Sequence, residues 1–277
     1  MSNAVYKLVA SDLDGTLLGI EQTVSSENFR AIAELRRLGV EFVLATGRAL
    51  GEIPRELVFC SDIRYIISSN GAAVTDKCTG EVILSKYIDS DSVRFVFELV
   101  KEFKTYTIAH SAGNSYYDLK QHNKENMERC HIGAYMKQLL EGTNLPLENF
   151  EQSILSIGKV EMFCIHFAND EERRLCKRKM IDTGKLSAVE SNAYNLEVYA
   201  KGAGKGRALR ELIGLIGVEK KQTIAVGDSG NDSTLIDAAG LGLAVENACD
   251  ELKAIADKTI CDNQSHCAEY ILNNFIL

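Results

Sequence analysis

Short apolar runs alternate with amphipathic segments along most of the chain. The first two runs, YKLVAS at residues 6–11 and EFVLAT at residues 41–46, are nearly continuous in apolar side chains. Between them, SSENFRAIAELRRLG repeats apolar residues at helical spacing and ends at a glycine. Strands buried on both faces show such unbroken apolar runs. The pattern therefore predicts an α/β fold, with a parallel sheet that is covered by helices on both faces.

The pattern changes after Asn70. The next run, AAVTDKCTGEVILSKYI, predicts a hairpin with its turn at Lys77–Gly80. A second series of helices and strands follows, including one helix over residues 124–142, and the first pattern returns near Asn195 with the strand NLEVYA. We therefore predict a Rossmann-like core that is split by an inserted α/β cap domain. The predicted boundaries are 1–85 for the first part of the core, 86–190 for the cap and 191–277 for the second part of the core.

Composition limits the classes of partner and the compartment. The 277 residues carry a net charge of −8 and form no basic stripe, which argues against nucleic acid as a partner. No apolar run approaches the ~20 residues that span a bilayer, and no secretory signal is visible. The 8 cysteines form no C-x-x-C pair, which favours free thiols in the reducing cytoplasm. The first four residues, MSNA, resemble an expression remnant. Separately, we expect the protein to be a monomer or a small homo-oligomer.

Polar side chains follow several predicted strands at the point where each strand ends. Ligands of open parallel sheets bind at this carboxyl edge, so we expect these side chains to converge on one site. The candidates, with the lysine that begins a late helix, are Asp12, Asp14, Thr46, Gly47, Arg48, Asn70, Lys205, Asp228, Asn231 and Asp232.

The chemistry of these candidates suggests a metal and a phosphoryl group. Crowded carboxylates require raised pKa values or a neutralising cation. Oxygen ligands suit a hard ion such as Mg²⁺, which commonly shares its shell with substrate phosphate oxygens. Lys205 and Thr46 would then hold the phosphoryl group, and glycines at 15, 47 and 227 would let backbone N–H groups approach an anion.

The pair of aspartates after the first strand suggests a division of labour. One carboxylate cannot act as nucleophile and proton shuttle at the same moment. We hypothesise that Asp12 attacks phosphorus to form an aspartyl-phosphate. Asp14 would protonate the leaving alkoxide and later deprotonate the attacking water.

Four segments together resemble the motifs of the haloacid dehalogenase superfamily: DLDGTL, LATGR, the Lys205–Gly206 pair and GDSGND. The large insert between the second and third segments resembles the Cof-type branch. This resemblance implies an Mg²⁺-dependent phosphatase that acts on small phosphomonoesters, above all sugar phosphates, beneath a cap that closes over the substrate. It also implies residue roles. The metal ligands would be Asp12, the backbone carbonyl of Asp14 and Asp228, with Asp232 supporting the metal or orienting Lys205, and Asn231 would contact phosphate or substrate.

Several alternatives stay open at this point. Arg48 either contacts phosphate or caps the following helix, and Asn70 is a turn residue that also faces the site. The segment KGAGKGRAL fails both the P-loop and the dinucleotide glycine patterns. A phosphomutase or phosphotransferase could use the same core, and a catalytically silent protein that binds a phosphorylated ligand is a further alternative.

Overall fold

A computed structural model describes residues 6–190 and 193–277. The MSNA segment and the start of the predicted second core part, at residue 191, lie outside these residues. The described chain divides into two compact units. The first unit contains the described residues up to Gly47, with Pro54–Ser85 and Gly204–Leu277, and the second contains Arg48–Ile53 and the described residues of Lys86–Ala203.

Strands and helices alternate through most of the described chain. The strands are β1 Leu8–Ser11, β2 Glu41–Ala45, β3 Ile63–Ser68, β4 Ala73–Asp76, β5 Glu81–Ser85, β6 Thr105–Ser111, β7 Asn114–Asp118, β8 Leu145–Leu147, β9 Val160–Phe167, β10 Leu186–Val189, β11 Asn195–Ala200, β12 Thr223–Gly227, β13 Leu241–Ala244 and β14 Lys258–Thr259. The α-helices are α1 Ser26–Arg37, α2 Arg55–Val58, α3 Ser90–Val100, α4 Lys124–Arg129, α5 Ala134–Gly142, α6 Phe150–Ile157, α7 Asp170–Asp182, α8 Lys205–Ile216, α9 Ser233–Ala238, α10 Asp250–Ile255 and α11 Cys267–Ile271.

The first unit is built on a sheet with the strand order β14-β13-β12-β1-β2-β3-β4-β5. Every pairing from β14 to β3 is parallel, whereas β3, β4 and β5 pair antiparallel. The predicted α/β fold and hairpin are therefore confirmed. Central β1 lies between β2 and β12, with Leu8 opposite both Glu41 and Thr223. These three strands run in the same direction, so the residues that follow them meet at one edge.

Apolar side chains from the sheet and the helices form the core of the first unit. Leu8 and Val43 from the central strands pack with Leu209 and Leu212 of α8, and all four are fully buried. Because α8 is fixed along this core, the residue that begins it, Lys205, is also fixed. Burial of four such side chains supplies about 1.5–3 kcal/mol each relative to exposure.

The second unit has its own sheet, in the order β10-β11-β9-β6-β7-β8. One face of this sheet packs against α3, α6 and α7 through Phe97, Phe150 and Met180. Phe97 makes edge-to-face ring contacts with Phe150 and Phe163, with centroids 5.7 and 5.2 Å apart. The unit therefore has a separate hydrophobic core.

The structure corrects the predicted second boundary of the insert. Strand β11, which the sequence pattern placed in the core, pairs antiparallel with β9, with Leu196 opposite Ile165. Its backbone hydrogen bonds therefore belong to the sheet of the second unit, and the first unit resumes only at Gly204. The first predicted boundary coincides with the change of unit between Ser85 and Lys86.

The helix predicted over residues 124–142 is two helices. Helix α4 ends at Arg129, and α5 begins at Ala134. Between them His131 has a φ of 54°, in the left-handed region that interrupts a right-handed helix. The sequence pattern also missed β8 and α6, which lie between α5 and β9.

In the described part of the chain, no helix has both the length and the apolar character required to cross a bilayer. All eight cysteines are free thiols.

Candidate active site

The end of β1 places two aspartates in different environments. The backbone N–H of Asp12 donates to Val226 O at 2.9 Å, which continues the β1–β12 pairing by one residue, and the Asp12 side chain is buried. Asp14 and Gly15 then form the centre of a type II turn, with φ/ψ of −77°/121° and 77°/−1°. This turn needs glycine at its second central position, since φ is positive there. A Cβ at Gly15 would also lie 2.4 Å from Oδ2 of Asp228.

Lys205 joins two carboxylates at the centre of the site. Its ammonium nitrogen lies 2.6 Å from Oδ1 of Asp12 and 2.7 Å from Oδ1 of Asp232, and all three side chains are buried. The second oxygen of Asp232 accepts hydrogen bonds from the N–H groups of Asp228 and Ser229, at 3.1 and 3.2 Å. Asp232 thus orients both the lysine and the loop that carries Asp228.

Burial and mutual repulsion shift the pKa values of this cluster. Burial, and then the charge of Asp232, raise the pKa of Asp12 well above its ordinary range, against the opposing effect of Lys205. The same two causes raise the pKa of Asp228 to about 6. Burial alone would lower the pKa of Lys205, but the charges of Asp12 and Asp232 outweigh it and raise that pKa. Lys205 is therefore a fixed cation that only partly neutralises the carboxylates.

Three carboxylates in this cluster could hold a metal ion. One oxygen each from Asp12, Asp228 and Asp232 lie within 4.8 Å of one another. Oδ2 of Asp12 is buried and has no hydrogen-bond partner, a costly state that a bound cation would relieve. An all-oxygen donor set fits a hard divalent ion. The Asp14 side chain is not part of this group, and the predicted ligation by its backbone carbonyl stays a prediction.

The ends of β2 and β3 bring further predicted residues together. Asn231 donates its side-chain amide to Oδ1 of Asn70 at 3.1 Å. Asn70 has a φ of 52° and donates its N–H to Thr46 O at 3.0 Å. A Cβ at Gly47 would lie 3.2 Å from the Asn70 side-chain oxygen, so this glycine permits the close approach. Hydrogen bonds therefore link the residues that follow β2, β3 and β12.

Arg48 lies in the second unit, unlike the residues just before it. It donates to Glu52 O at 3.0 Å, and its guanidinium carbon is 5.5 Å from the centre of the Tyr135 ring. Glu52 is itself buried and accepts the N–H of Ala49 at 2.8 Å. The sequence signals did not indicate this arrangement, and the predicted role of Arg48 in phosphate binding stays a prediction.

Sequence reasoning missed Asn247, which touches the turn that carries Asp14. Its side-chain amide donates to Gly15 O at 2.7 Å. Asn247 comes three residues after β13, at the same carboxyl edge of the sheet as the other site residues. The rule that led to the other candidates would therefore have included it, had the search extended to that strand.

Comparisons with known proteins find relatives that match nearly the whole chain. The chain is 28% identical over 287 residues to the phosphatase YwpJ of Bacillus subtilis, which covers 98% of this chain and 100% of the relative. It is 27% identical over 285 residues to the 5-amino-6-(5-phospho-D-ribitylamino)uracil phosphatase YwtE of the same organism, with 98% of each chain covered. The solved structure of a haloacid dehalogenase-like hydrolase from B. subtilis superimposes with a TM-score of 0.82 at 26% identity, covering 98% of this chain and 100% of that one.

The match to a family model extends over both units and every residue of the cluster. The model of the haloacid dehalogenase-like hydrolases matches residues 9–272, from within β1 to the last helix. The matched region includes the lysine that lies between two buried aspartates at the carboxyl edge of the parallel sheet. This chain therefore belongs to the haloacid dehalogenase-like hydrolases.

Proposed function

We propose that the protein is an Mg²⁺-dependent phosphatase that hydrolyses small phosphomonoesters, with sugar phosphates as the first class to test. One observation carries this proposal. Lys205 binds one oxygen of Asp12 at 2.6 Å, whereas the other oxygen is buried and has no hydrogen-bond partner. Such a carboxylate is held in one orientation and has an oxygen that no protein donor occupies, which leaves the group able to bind a cation and to react with a phosphoryl group. Both relatives named above are called phosphatases, and the name of one of them specifies a phosphorylated ribityl compound. These names support the reaction class.

The first step transfers the phosphoryl group to the protein. A carboxylate oxygen of Asp12 bonds to phosphorus while the ester P–O bond breaks, which leaves an aspartyl-phosphate. Asp14 gives its proton to the leaving alkoxide, because an alkoxide is a poor leaving group without protonation. Lys205 stays charged and offsets the negative charge that collects between Asp12 and the phosphoryl oxygens.

The second step returns Asp12 to its starting state. Asp14, now ionised, removes a proton from a water molecule, whose oxygen bonds to phosphorus. The P–O bond to Asp12 breaks, and inorganic phosphate leaves. Thr46, Gly47, Asn70 and Asn231 are the proposed phosphate contacts of the first unit in both steps.

Asp12 and Asp228, with the backbone carbonyl of Asp14, would hold the Mg²⁺. When bound, the ion withdraws charge from the phosphoryl oxygens and reduces their repulsion from the Asp12 carboxylate. Both oxygens of Asp232 already accept hydrogen bonds, so its proposed part is to orient Lys205 and the Asp228 loop. We also propose a cytoplasmic location, which the eight free thiols support.

The test is phosphate release from a panel of sugar phosphates and 4-nitrophenyl phosphate, with Mg²⁺ and with excess chelator. We expect release that requires the metal and a ranking of kcat/KM that favours one group of sugar phosphates. Release that chelator leaves unchanged would contradict metal dependence. Transfer to a second sugar and not to water would favour the phosphomutase. Binding of a phosphorylated ligand without any turnover would favour the silent protein.

A further inference from the structure

Three asparagine side chains bind backbone carbonyls in the turn that carries Asp14 and in the two leucines that follow it. Asn247 donates its amide to Gly15 O at 2.7 Å, and Asn263 donates to Leu18 O at 2.9 Å. Asn28 of α1 donates to Leu17 O at 3.4 Å. We call these three residues the asparagine clamp. They come from α1, the loop after β13 and the loop after β14, so three separate parts of the chain converge on one short segment.

The chemistry of the contacts requires an amide side chain. The amide oxygen of Asn247 accepts the N–H of Asn263 at 2.9 Å, and that of Asn28 accepts the N–H of Ala268 at 3.0 Å. Asn247 and Asn28 therefore each donate to a carbonyl and accept from an N–H at once. An aspartate has the acceptor but lacks the donor, and an alanine has neither.

The Gly15 contact lies where it controls the direction of Asp14. Gly15 is the second central residue of the type II turn, directly after Asp14. Rotation of the peptide groups in that turn would redirect both the Asp14 side chain and its carbonyl. Asn247 fixes the carbonyl at one end of this turn, and the Asp12 N–H bond to Val226 fixes the chain before it.

We infer that Asn247, supported by Asn263, is a positioning residue for Asp14 in proton transfer to the leaving group. This inference rests on the proposed function for the role of Asp14. Asn247 is exposed and belongs to no hydrophobic core, so its contact with Gly15 does not serve to fill the interior. The position of the acid matters most for substrates whose leaving group must be protonated.

The leaving group therefore distinguishes positioning from general damage. An alkyl phosphate such as a sugar phosphate leaves as a basic alkoxide, whereas 4-nitrophenolate leaves without a proton. For Asn247→Ala we expect kcat/KM to fall about 10–100-fold with the best sugar phosphate and less than about threefold with 4-nitrophenyl phosphate. Asn263→Ala removes the bond to Leu18 O but keeps the backbone N–H that binds Asn247, so it should change the ratio in the same direction by a smaller factor.

A matched control exists in the last turn of the first unit. Asn274 is also exposed and donates its amide to a backbone carbonyl, that of Tyr270, at 2.8 Å, but it does not touch the turn. Asn274→Ala should leave both kcat/KM values within about twofold of the wild type, since exposed polar contacts of this kind contribute little. An equal loss with both substrates in Asn247→Ala would overturn the inference.

Hydrogen exchange tests the clamp without relying on turnover. The N–H of Leu18 donates to Leu13 O at 2.9 Å and closes the segment that the clamp holds. We expect exchange in a peptide covering residues 13–18 to be at least about tenfold faster in Asn247→Ala than in Asn274→Ala. Equal exchange in the two variants would overturn the clamp even if the wild type were active. An inactive wild type with faster exchange would refute the proposed function alone and uphold the clamp.

Discussion

Lys205 and Asp12 are 193 positions apart in the chain, and their side chains form a buried ion pair of 2.6 Å. The pair joins the end of β1 to the start of α8, and Asp232 completes it on the other side of the ammonium. Removing charges from water costs several kcal/mol per ion, and mutual attraction only offsets this cost when the geometry is close. The arrangement is therefore most sensitive to the loss of the ammonium, which both carboxylates share.

Lys205→Met should destabilise the first unit. The substitution leaves Asp12 and Asp232 buried without a cation, and we expect the free energy of unfolding at pH 7 to fall by about 3–5 kcal/mol. Urea unfolding in the presence of chelator measures this change. The control is Lys101→Met, because Lys101 also lies between two carboxylates, Glu98 at 2.7 Å and Glu151 at 2.9 Å, but at the surface. Lys101→Met should have little effect on stability, and equal losses in the two variants would contradict the prediction.

Asp12→Asn should abolish turnover and leave the fold intact. An amide cannot form the acyl-phosphate, so we expect kcat/KM to fall by at least about 10³-fold. Burial raises the pKa of Asp12 and so disfavours its charged form, and in the variant Lys205 keeps Asp232 as its partner, so we expect the variant to fold. Acid-quenched wild-type protein should yield a phosphorylated peptide containing Asp12, and the variant should not. Asp237→Asn, at a side chain that is 80% exposed, is the control. Full activity of Asp12→Asn would refute the covalent mechanism.

Gly15→Ala should damage the site by more than backbone strain. Gly15 and Gly80 have nearly the same φ, 77° and 74°, but a Cβ at Gly80 would meet nothing within 4 Å. Alanine at either position costs about 1–2 kcal/mol through the left-handed backbone. At Gly15 the methyl group would also displace Asp228, so we expect kcat/KM to fall about 100-fold and Mg²⁺ binding to weaken. Calorimetric titration with Mg²⁺ compares the two variants, and indistinguishable behaviour would show that the close approach to Asp228 is unimportant.

His166 should make the second unit sensitive to acid. Burial lowers the pKa of His166 from its ordinary value of 6.5 to about 4. Between these pH values the unfolded chain binds a proton that the folded chain does not. This residue's contribution to the free energy of unfolding is therefore present above pH 6.5 and is lost as the pH falls towards about 4, with a slope of up to about 1.4 kcal/mol per pH unit. His166→Gln should show a shallower pH dependence in denaturant unfolding between those values, whereas parallel curves for the two proteins would contradict the assignment.

The sequence by itself determined the α/β class, the hairpin after β3 and most of the predicted site residues. These are local properties, because the hydrophobic period specifies an element and the residue that follows a strand lies at the edge of its sheet. The rule that site residues follow the ends of parallel strands indicated Asp12, Asp228 and Asn70, although it gives no distances between them.

Only the tertiary structure decided which elements pair and which groups meet. The apolar pattern of β11 suits either sheet, and its hydrogen bonds to β9 settle the assignment. In the same way, Arg48 follows a core strand but packs with Glu52 and Tyr135 in the second unit. The bond from Asn247 to Gly15 spans 232 positions, and no local pattern encodes such a contact. Long-range partners depend on how distant segments pack, and that information is absent from the spacing of residues along the chain.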